Sequence, residues 1–555
     1  MTTLRLLPPA PGAPLPELDT EQRVAVDAAL AARVPEDPGH LVVVGAAGAG
    51  KTTVAAALAV EAVRRGVPVD RVLVIAATRA GAARLRDRVS LALDRPVGAP
   101  VVRTAASTAH AILTAQATAL GEPAPVLVTG AEQDQILREL LEGHSRGLGA
   151  APDWAGVVPP EATRLAGFRA ELRDVLMRAS EGALTPADLG HLGVRTGRPE
   201  WVAAARVMDE YDAILGWRSV TQDQGPRYDP AAVVAHAAHV LGAWEELAEG
   251  DPPGWDLVVV DDAQDLTAAG VDLVRATAAA GARLVLLGNA DEAVQGYRGA
   301  VPGALAEATA PRDAGGFGAA LVRLGAGHRQ SGPLAGVTAA AVARIGTAGV
   351  GSARAAIPAV PAAGEVEILT AAHRHAQSRA IAAALRGARH GFDGPETAWG
   401  RMAVIARSAA RLRELRADLS AADIPCETLG DGTALHSEPA VAPLLMLMRR
   451  AAESARGEQR PWDQDQVAEL LGSRIVGIDP VALRRLRRAL VREERQGGGT
   501  RTSAELLEDA IEEPARWVGV GTPEARLAQR ASAALRAGAD AAAGGTPATV
   551  AWAVW

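Results

Sequence analysis

A short glycine-rich stretch has the residue types and spacing that hold phosphate groups. Residues 45–53 read GAAGAGKTT and match the pattern GxxxxGK[ST]. Small residues let backbone N–H groups surround phosphate oxygens, Lys51 reaches the β and γ phosphates, and the Thr52 hydroxyl can ligate magnesium. The pattern therefore predicts a nucleotide-phosphate site made of Gly45, Gly48, Gly50, Lys51, Thr52 and Thr53.

The context of this stretch supports the same interpretation. Apolar residues 41–44 predict a strand before the loop, and the alanine-rich segment that ends at 64–66 (RRG) predicts a helix after it. Lys51 is the only lysine among 57 basic residues, so the other 56 are arginine. A compact ammonium thus stands where a broad guanidinium would crowd the phosphates, which makes a chance match the weaker explanation.

Two adjacent carboxylates form a second candidate for chemistry. Residues 257–260 predict a buried strand, and Asp261 and Asp262 follow it directly. Ligands of open parallel sheets bind at the carboxyl ends of strands, so Asp261 is suited to hold magnesium and Asp262 to orient or deprotonate a water. The alternative is that the two acids only cap the next element, and the upstream phosphate loop favours the catalytic interpretation.

Other polar side chains at predicted strand ends suit nucleotide or nucleic-acid contacts. The strand 284–287 precedes a segment in which Tyr297 and Arg298 pair a ring with a guanidinium, as base stacking and phosphate contact require. Thr78 and Thr104 could grip a nucleic-acid backbone, although helix caps are the simpler interpretation. Gln22, in the first turn of a helix over 18–30, is either an adenine-binding amide or a surface glutamine.

Length and composition bound the class of protein. The chain has 555 residues, of which 48% are hydrophobic, and this length predicts three or four domains of α/β and helical type. A single cysteine, Cys426, excludes an internal disulfide and a cysteine-cluster metal site. The first residues lack a leader pattern, and no uncharged apolar run approaches the roughly 20 residues of a membrane span. We therefore expect a cytoplasmic protein.

The predicted secondary structure changes along the chain. Residues 111–248 predict an inserted helical domain, with helices over 169–180 and 201–217. A second αβ unit begins near residue 324, with a strand over 402–405 and a helix over 409–419. Arginine-rich helices, one over 481–495, fill the rest.

The order of these segments resembles that of the UvrD/Rep/PcrA-type superfamily 1 DNA helicases, over nearly the whole chain. The helical stretches, notably 198–201 and 483–490, resemble most the AdnA subunit of the heterodimeric AdnAB helicase-nuclease. The segments that carry the resemblance are Gln22, 45–53, 78–89, 260–265, 288–300 and 328–329.

This resemblance implies an α/β fold with two RecA-like P-loop domains, the second incomplete, and inserted helical subdomains. It implies motor domain 1A over 1–112 and 251–328, helical insertion 1B over 113–250, part of domain 2A over 329–445, and a 2B-like helical insertion over 446–555. No later segment supplies the family's last two motifs, so we expect a chain cut short at its carboxyl end. The implied activity is an ATP- and magnesium-dependent 3′–5′ helicase in DNA repair or recombination. The implied partners are single-stranded DNA, its junctions with duplex, and a paralogous helicase-nuclease subunit.

The resemblance also implies roles for single residues. Arg329 matches the arginine finger of the second motor domain, and His328 stands where an adenine-stacking tyrosine usually lies. The remaining roles are adenine contact for Gln22, γ-phosphate contact for Arg298 and Glu292, and single-stranded DNA contact for Thr78, Thr104 and Tyr297.

Three departures from the family pattern predict a weakened ATPase. Asp262 replaces the usual glutamate and is one methylene shorter. Glu292 replaces a glutamine, and its carboxylate would repel the γ-phosphate unless it is protonated or paired with arginine. Residues 104–107 (TAAS) lack the family's aromatic residue and histidine. A nucleotide- and DNA-binding regulatory subunit is therefore the alternative function. A lysine-dependent nuclease is excluded for this chain, because its one lysine lies in the phosphate loop.

Overall fold

A computed structural model describes most of the chain in two compact units, Met1–Leu429 and Gly430–Trp555. The described residues are 15–32, 39–93, 100–149, 151–154, 157–221, 225–346, 354, 356–359, 364–392, 394–428, 441–458, 462, 464–473 and 475–555.

A six-stranded parallel sheet organises the first unit, with the strand order β3-β2-β6-β7-β1-β8. Two further pairs, β4 with β5 and β9 with β10, are short and also parallel. The strands are β1 Leu41–Gly45, β2 Val72–Ala76, β3 Val102–Arg103, β4 Val126–Leu127, β5 Arg227–Tyr228, β6 Leu257–Asp261, β7 Arg283–Gly288, β8 Ala320–Leu324, β9 Ala326–Gly327 and β10 Ile357–Pro358.

The register of the sheet brings the carboxyl ends of its strands to one edge. Gly45 lies opposite Leu324 of β8, and Val44 lies opposite Gly288 of β7. Asp261 lies opposite Ala76 of β2. Every residue of β1, β2, β6 and β7 is buried, as expected for parallel strands covered on both faces.

Fifteen helices are described in the first unit and six in the second. Those of the first unit are α1 Thr20–Ala29, α2 Lys51–Arg64, α3 Arg79–Leu93, α4 Ala105–Leu120, α5 Gly130–Ser145, α6 Ala166–Glu181, α7 Pro186–Thr196, α8 Pro199–Thr221, α9 Ala232–Gly242, α10 Trp244–Leu247, α11 Ala268–Ala279, α12 Ala304–Thr309, α13 Gly332–Val342, α14 Arg374–His390 and α15 Ala409–Ala421. Those of the second unit are α16 Ala442–Ala455, α17 Gln464–Gly472, α18 Pro480–Gln496, α19 Ser503–Glu512, α20 Pro523–Ala542 and α21 Pro547–Val554.

Helices cover both faces of the six-stranded sheet because successive strand residues point in opposite directions. Leu41 and Val43 of β1 pack with α1, α2 and α3 on one face. Val42 and Val44 pack with α11 and α12 on the other face. This arrangement confirms the predicted α/β class, and it is consistent with a RecA-like helicase domain.

The predicted helical insertion separates β3 from β6. Its helices α5, α6 and α8 share a core that includes Ile136, Leu176 and Tyr211. Helices α4 and α9 pack with α11 in a neighbouring core. The helices predicted over 169–180 and 201–217 are confirmed as α6 and α8.

The region after β8 differs from its prediction in one element. The helix predicted over 409–419 is confirmed as α15, but residues 402–406 have no strand assignment, and the side chain of Ile405 is 92% exposed. A parallel strand forms only where a neighbouring strand accepts and donates its backbone hydrogen bonds, and 402–406 have no such neighbour in the described chain.

The second unit is helical. Its core includes Leu447, Leu486 and Trp517, and the Trp517 indole donates a hydrogen bond to the Ser532 hydroxyl at 2.7 Å. The helix predicted over 481–495 is confirmed as α18. Across the described residues, no helix is both long and apolar enough to cross a membrane.

Candidate nucleotide site

The loop between β1 and α2 has a backbone that only small residues can follow. Gly48 and Gly50 have positive φ angles of 84° and 87°, which side chains rarely adopt. A Cβ atom on Gly48 would lie 2.8 Å from the Cβ of Arg329, and one on Gly50 would overlap the Gln22 amide. Gly50 also precedes the first turn of α2, where free N–H groups attract anions. The loop is thus shaped as a phosphate cradle.

Lys51 is held at the base of this cradle. Its side chain is 7% exposed, and its ammonium donates to the carbonyls of Gly45 at 2.8 Å and Ala46 at 3.2 Å. A third hydrogen bond, at 3.0 Å, goes to Oε1 of Glu292. An ammonium has three N–H donors, so these three acceptors use all of them.

Helix α1 supports the loop from one side. Asp19 caps this helix in a reciprocal capping box with Gln22, which explains why the helix begins at Thr20. The Gln22 amide donates to the Ala49 carbonyl in the loop at 3.0 Å. Gln22 is 3% exposed, so the surface-glutamine interpretation is wrong, and its side chain fixes the loop in this structure.

The segment after β8 also supports the loop. The backbone N–H of His328 donates to the Gly48 carbonyl at 2.9 Å. The His328 ring nitrogen Nε2 lies 2.7 Å from Oδ2 of Asp19. Arg329 approaches Gly48 with its Cβ, while its side chain is exposed. The structure therefore brings His328 and Arg329 to the phosphate loop.

Asp261 lies at the end of β6 and is only 5% exposed. Burial and the neighbouring charge of Asp262 raise its pKa to about 6, while a hydrogen bond from Thr52 and the charge of Lys51 lower it. Its Oδ1 atom is buried without a hydrogen-bond partner among the described residues. A buried carboxylate oxygen without a partner, beside a threonine hydroxyl, fits a hard cation such as magnesium.

Asp262 adopts the left-handed conformation, with φ 54° and ψ 45°. Such a conformation is uncommon outside glycine and indicates a backbone held by its surroundings. The Gln264 amide Nε2 donates to Oδ1 of Asp262 at 3.3 Å, and Gln264 Oε1 accepts from the backbone N–H of Asn289 at 3.0 Å. Gln264 thus joins the ends of β6 and β7.

Glu292 lies in a short 3-10 helix after β7, Ala290–Glu292. Its Oε1 atom accepts from both Lys51 and the Asn289 amide, the latter at 2.9 Å. The preceding residue, Asp291, pairs through its Oδ1 atom with the Arg354 guanidinium at 2.8 Å. The sequence left protonation or an arginine partner as ways to offset the charge of Glu292, and the structure pairs its carboxylate with Lys51 instead.

The loop that follows presents Tyr297 to solvent. Asp265 holds this loop by accepting from the backbone N–H groups of Val294 at 3.0 Å and Gln295 at 3.2 Å. Tyr297 is 66% exposed, and the Arg298 guanidinium lies 5.2 Å from the centroid of its ring. An exposed aromatic ring next to a cation is suited to contact a nucleic-acid strand.

Two predicted DNA contacts have a structural role in this protein. Thr78 follows β2, and its hydroxyl accepts from the Gly81 N–H at 3.0 Å near the start of α3. Thr104 follows β3 and caps α4 through the Ser107 N–H at 3.2 Å. Both stand at the same sheet edge as the cradle, and both act as the helix caps that the sequence left as the alternative.

Gln264 and Arg354 join the site without a predicted role. The sequence does contain a signal for Gln264, because it follows the two acids at the end of a buried strand and is itself 2% exposed. Arg354 has no comparable signal, since its contact with Asp291 spans 63 residues.

The chain is similar to a known protein family. The profile of the UvrD/REP helicase N-terminal domain matches residues 26–311. This range holds the phosphate loop, the two acids Asp261 and Asp262 and the loop that carries Tyr297. A comparison with curated proteins finds no match.

Proposed function

The chain belongs to the UvrD/REP helicase family, and we propose that it is a DNA motor that hydrolyses ATP to move along single-stranded DNA. A superfamily 1 helicase is an ATP-hydrolysing enzyme that acts on DNA. The observation that carries the proposal is one sheet edge at which the phosphate cradle, Lys51 and a buried carboxylate meet. Such a site is suited to bind and split a nucleoside triphosphate.

In this proposal the cradle and Lys51 bind the phosphates, while Thr52 and Asp261 hold magnesium. When bound, magnesium neutralises charge on the phosphate oxygens. The partnerless Oδ1 of Asp261 supports its role as a ligand. Asp262 orients the attacking water, and the hydrogen bond from Gln264 holds its carboxylate in place. Arg329, at the edge of the cradle, contributes positive charge next to the phosphates.

The remaining nucleotide contacts follow from positions around the cradle. Gln22 binds adenine once its amide releases the Ala49 carbonyl, and His328 contacts both the loop and Asp19, the residue that caps the helix of Gln22. Arg298 reaches the γ-phosphate from the loop after β7. Thr53, in the first turn of α2, completes the loop.

Tyr297, Thr78 and Thr104 contact single-stranded DNA in the same proposal. The exposed ring of Tyr297 stacks on a base, and the two threonines border the strand path at the ends of β2 and β3. By family resemblance the motor moves 3′ to 5′ and acts at junctions of single- and double-stranded DNA. We assign it to cytoplasmic DNA repair or recombination, with a paralogous helicase-nuclease subunit as partner, as for AdnA.

The proposed domain division follows the same resemblance. Residues 1–112 and 251–328 form the first motor domain, and 113–250 its helical insertion. Residues 329–445 belong to a second motor domain, and 446–555 form a 2B-like insertion.

ATP turnover with and without single-stranded DNA tests this proposal. We expect oligo-dT to stimulate hydrolysis in the wild type, and Lys51→Ala to reduce turnover to background because the phosphates lose their buried cation. Arg64→Ala, at the exposed end of the same helix, is the control and should turn over ATP at the wild-type rate. Absence of DNA stimulation in the wild type would contradict a motor function.

Tyr297 tests the DNA contact separately. Tyr297→Ala should weaken oligo-dT binding about tenfold or more, since base stacking contributes about 1–3 kcal/mol per base. Tyr297→Phe keeps the ring and should bind as the wild type does. Equal DNA affinity of the alanine and phenylalanine variants would remove Tyr297 from the DNA site.

Two observations favour the second candidate, a nucleotide- and DNA-binding subunit with weak motor activity. The Glu292 carboxylate pairs with the ammonium of Lys51, and the Asp262 side chain is one methylene shorter than the family's glutamate. In that case the wild type would bind ATP and DNA but hydrolyse slowly, and Asp262→Glu would raise turnover. The same DNA-stimulation assay separates the two functions.

A further inference from the structure

The Lys51–Glu292 pair uses the same ammonium that a nucleotide needs. Lys51 already makes three hydrogen bonds, to the carbonyls of Gly45 and Ala46 and to the Glu292 carboxylate. No N–H donor remains for a phosphate oxygen. A nucleotide therefore binds Lys51 only by displacing one of the three acceptors.

Glu292 is the acceptor that can leave. The two carbonyls belong to Gly45, the last residue of β1, and to Ala46 in the phosphate loop, and moving them would distort the cradle. The Glu292 side chain is 31% exposed and has rotatable bonds that allow it to swing into solvent. Its charge also repels an arriving phosphate, while a carbonyl does not.

Neighbouring contacts hold the backbone around Glu292 and orient its side chain. Asp291 is anchored by Arg354 at 2.8 Å, and the N–H groups of Val294 and Gln295 are anchored by Asp265. The Asn289 amide directs Oε1 toward Lys51 through its own hydrogen bond. The carboxylate is thus pre-oriented on the ammonium without requiring the loop to move.

We propose that the Glu292 carboxylate competes with nucleotide phosphate for Lys51. It neutralises the Lys51 ammonium in the nucleotide-free protein and thereby lowers the affinity for ATP. This inference rests on the proposed function, because it assumes that nucleotide phosphate binds at Lys51. It implies that this chain needs a higher ATP concentration for binding than the same chain with a neutral glutamine at position 292.

Binding of fluorescent N-methylanthraniloyl-ATP with Mg²⁺ to the full chain, without DNA, tests the inference. Glu292→Gln keeps the size and the hydrogen-bonding oxygen but removes the charge. We expect its dissociation constant to fall about tenfold, the lower end of what a hydrogen bond to a charged group contributes. Glu307→Gln is the matched control, since Glu307 is exposed on α12, and it should bind as the wild type does.

A second variant keeps the test decisive if Glu292→Gln folds poorly. Glu292→Asp retains the charge but withdraws the carboxylate by one methylene, so it should tighten binding by a smaller factor. If the wild type binds measurably and a folded Glu292→Gln variant binds no more tightly, the proposed competition by Glu292 is wrong, while the nucleotide site remains supported. Absence of binding in every variant, wild type included, would overturn the nucleotide site itself and the proposed competition with it.

Discussion

Replacing Asp261 by asparagine should stabilise the nucleotide-free protein while removing its proposed magnesium ligand. Asp261 is almost fully buried, and its pKa is raised from 3.8 to about 6, chiefly by burial and by the charge of Asp262. The folded protein therefore binds a proton more tightly than the unfolded chain. The stability of the wild type falls as the pH rises from about 4 to about 6 and stays low above that range.

The magnitude follows from the pKa difference. A rise from 3.8 to about 6 is about 2 pKa units, which corresponds to about 3 kcal/mol at neutral pH. This figure already includes the hydrogen bond from Thr52 and the charge of Lys51, both of which favour the charged carboxylate. Asp261→Asn should therefore raise the free energy of unfolding by about 3 kcal/mol at pH 7.5.

Urea unfolding without nucleotide or magnesium, at pH 7.5 and pH 5, measures this effect. The difference between Asp261→Asn and wild type should be largest at pH 7.5 and should shrink at pH 5, where the wild-type carboxyl is mostly protonated. Asp272→Asn, an exposed position on α11, is the control and should change neither value. A variant no more stable than wild type at pH 7.5, or a gap of equal size at both pH values, would refute the reasoning.

Two further predictions concern the shape of the site. Gly48→Ala should weaken ATP binding about tenfold, because the left-handed conformation costs about 1–2 kcal/mol and the new Cβ would meet Arg329. Gly66 has a φ of 100° and open space around it, so Gly66→Ala introduces backbone strain without a steric contact. The same titration of Gly66→Ala therefore separates the effect of the Arg329 contact from that of backbone strain. Gln264→Ala should lower kcat several-fold with little change in the dissociation constant of ATP, because the Asp262 carboxylate loses the hydrogen bond that holds it. Steady-state kinetics and ATP-binding measurements together check this prediction. A loss of ATP affinity without a loss of kcat would contradict it.

Much of the sheet could be predicted because its strands are short apolar runs that end in polar residues. The runs at 41–44, 257–260 and 284–287 lie within one residue of the observed strands. The same pattern predicted a strand over 402–405 that is absent from the structure. Apolar composition alone does not provide the neighbouring strand that a parallel strand requires.

The partners within the site could not be predicted because they depend on strand order. Glu292 reaches Lys51 because β7 lies beside β1, although the two residues are 241 positions apart. Gln264 reaches Asn289 because β6 lies beside β7. Local patterns predict which residues follow a strand, but they do not contain the order in which the strands assemble.

Because Lys51 is the only lysine, lysine chemistry becomes a label for one position of this protein. An amine-reactive reagent can modify only the Lys51 side chain and the amino terminus, and a lysine-specific protease can cut the unfolded chain at one peptide bond. In the folded chain, the buried and fully hydrogen-bonded ammonium should react slowly. Mass spectrometry of a single acylated peptide would therefore report directly how accessible the base of the cradle is.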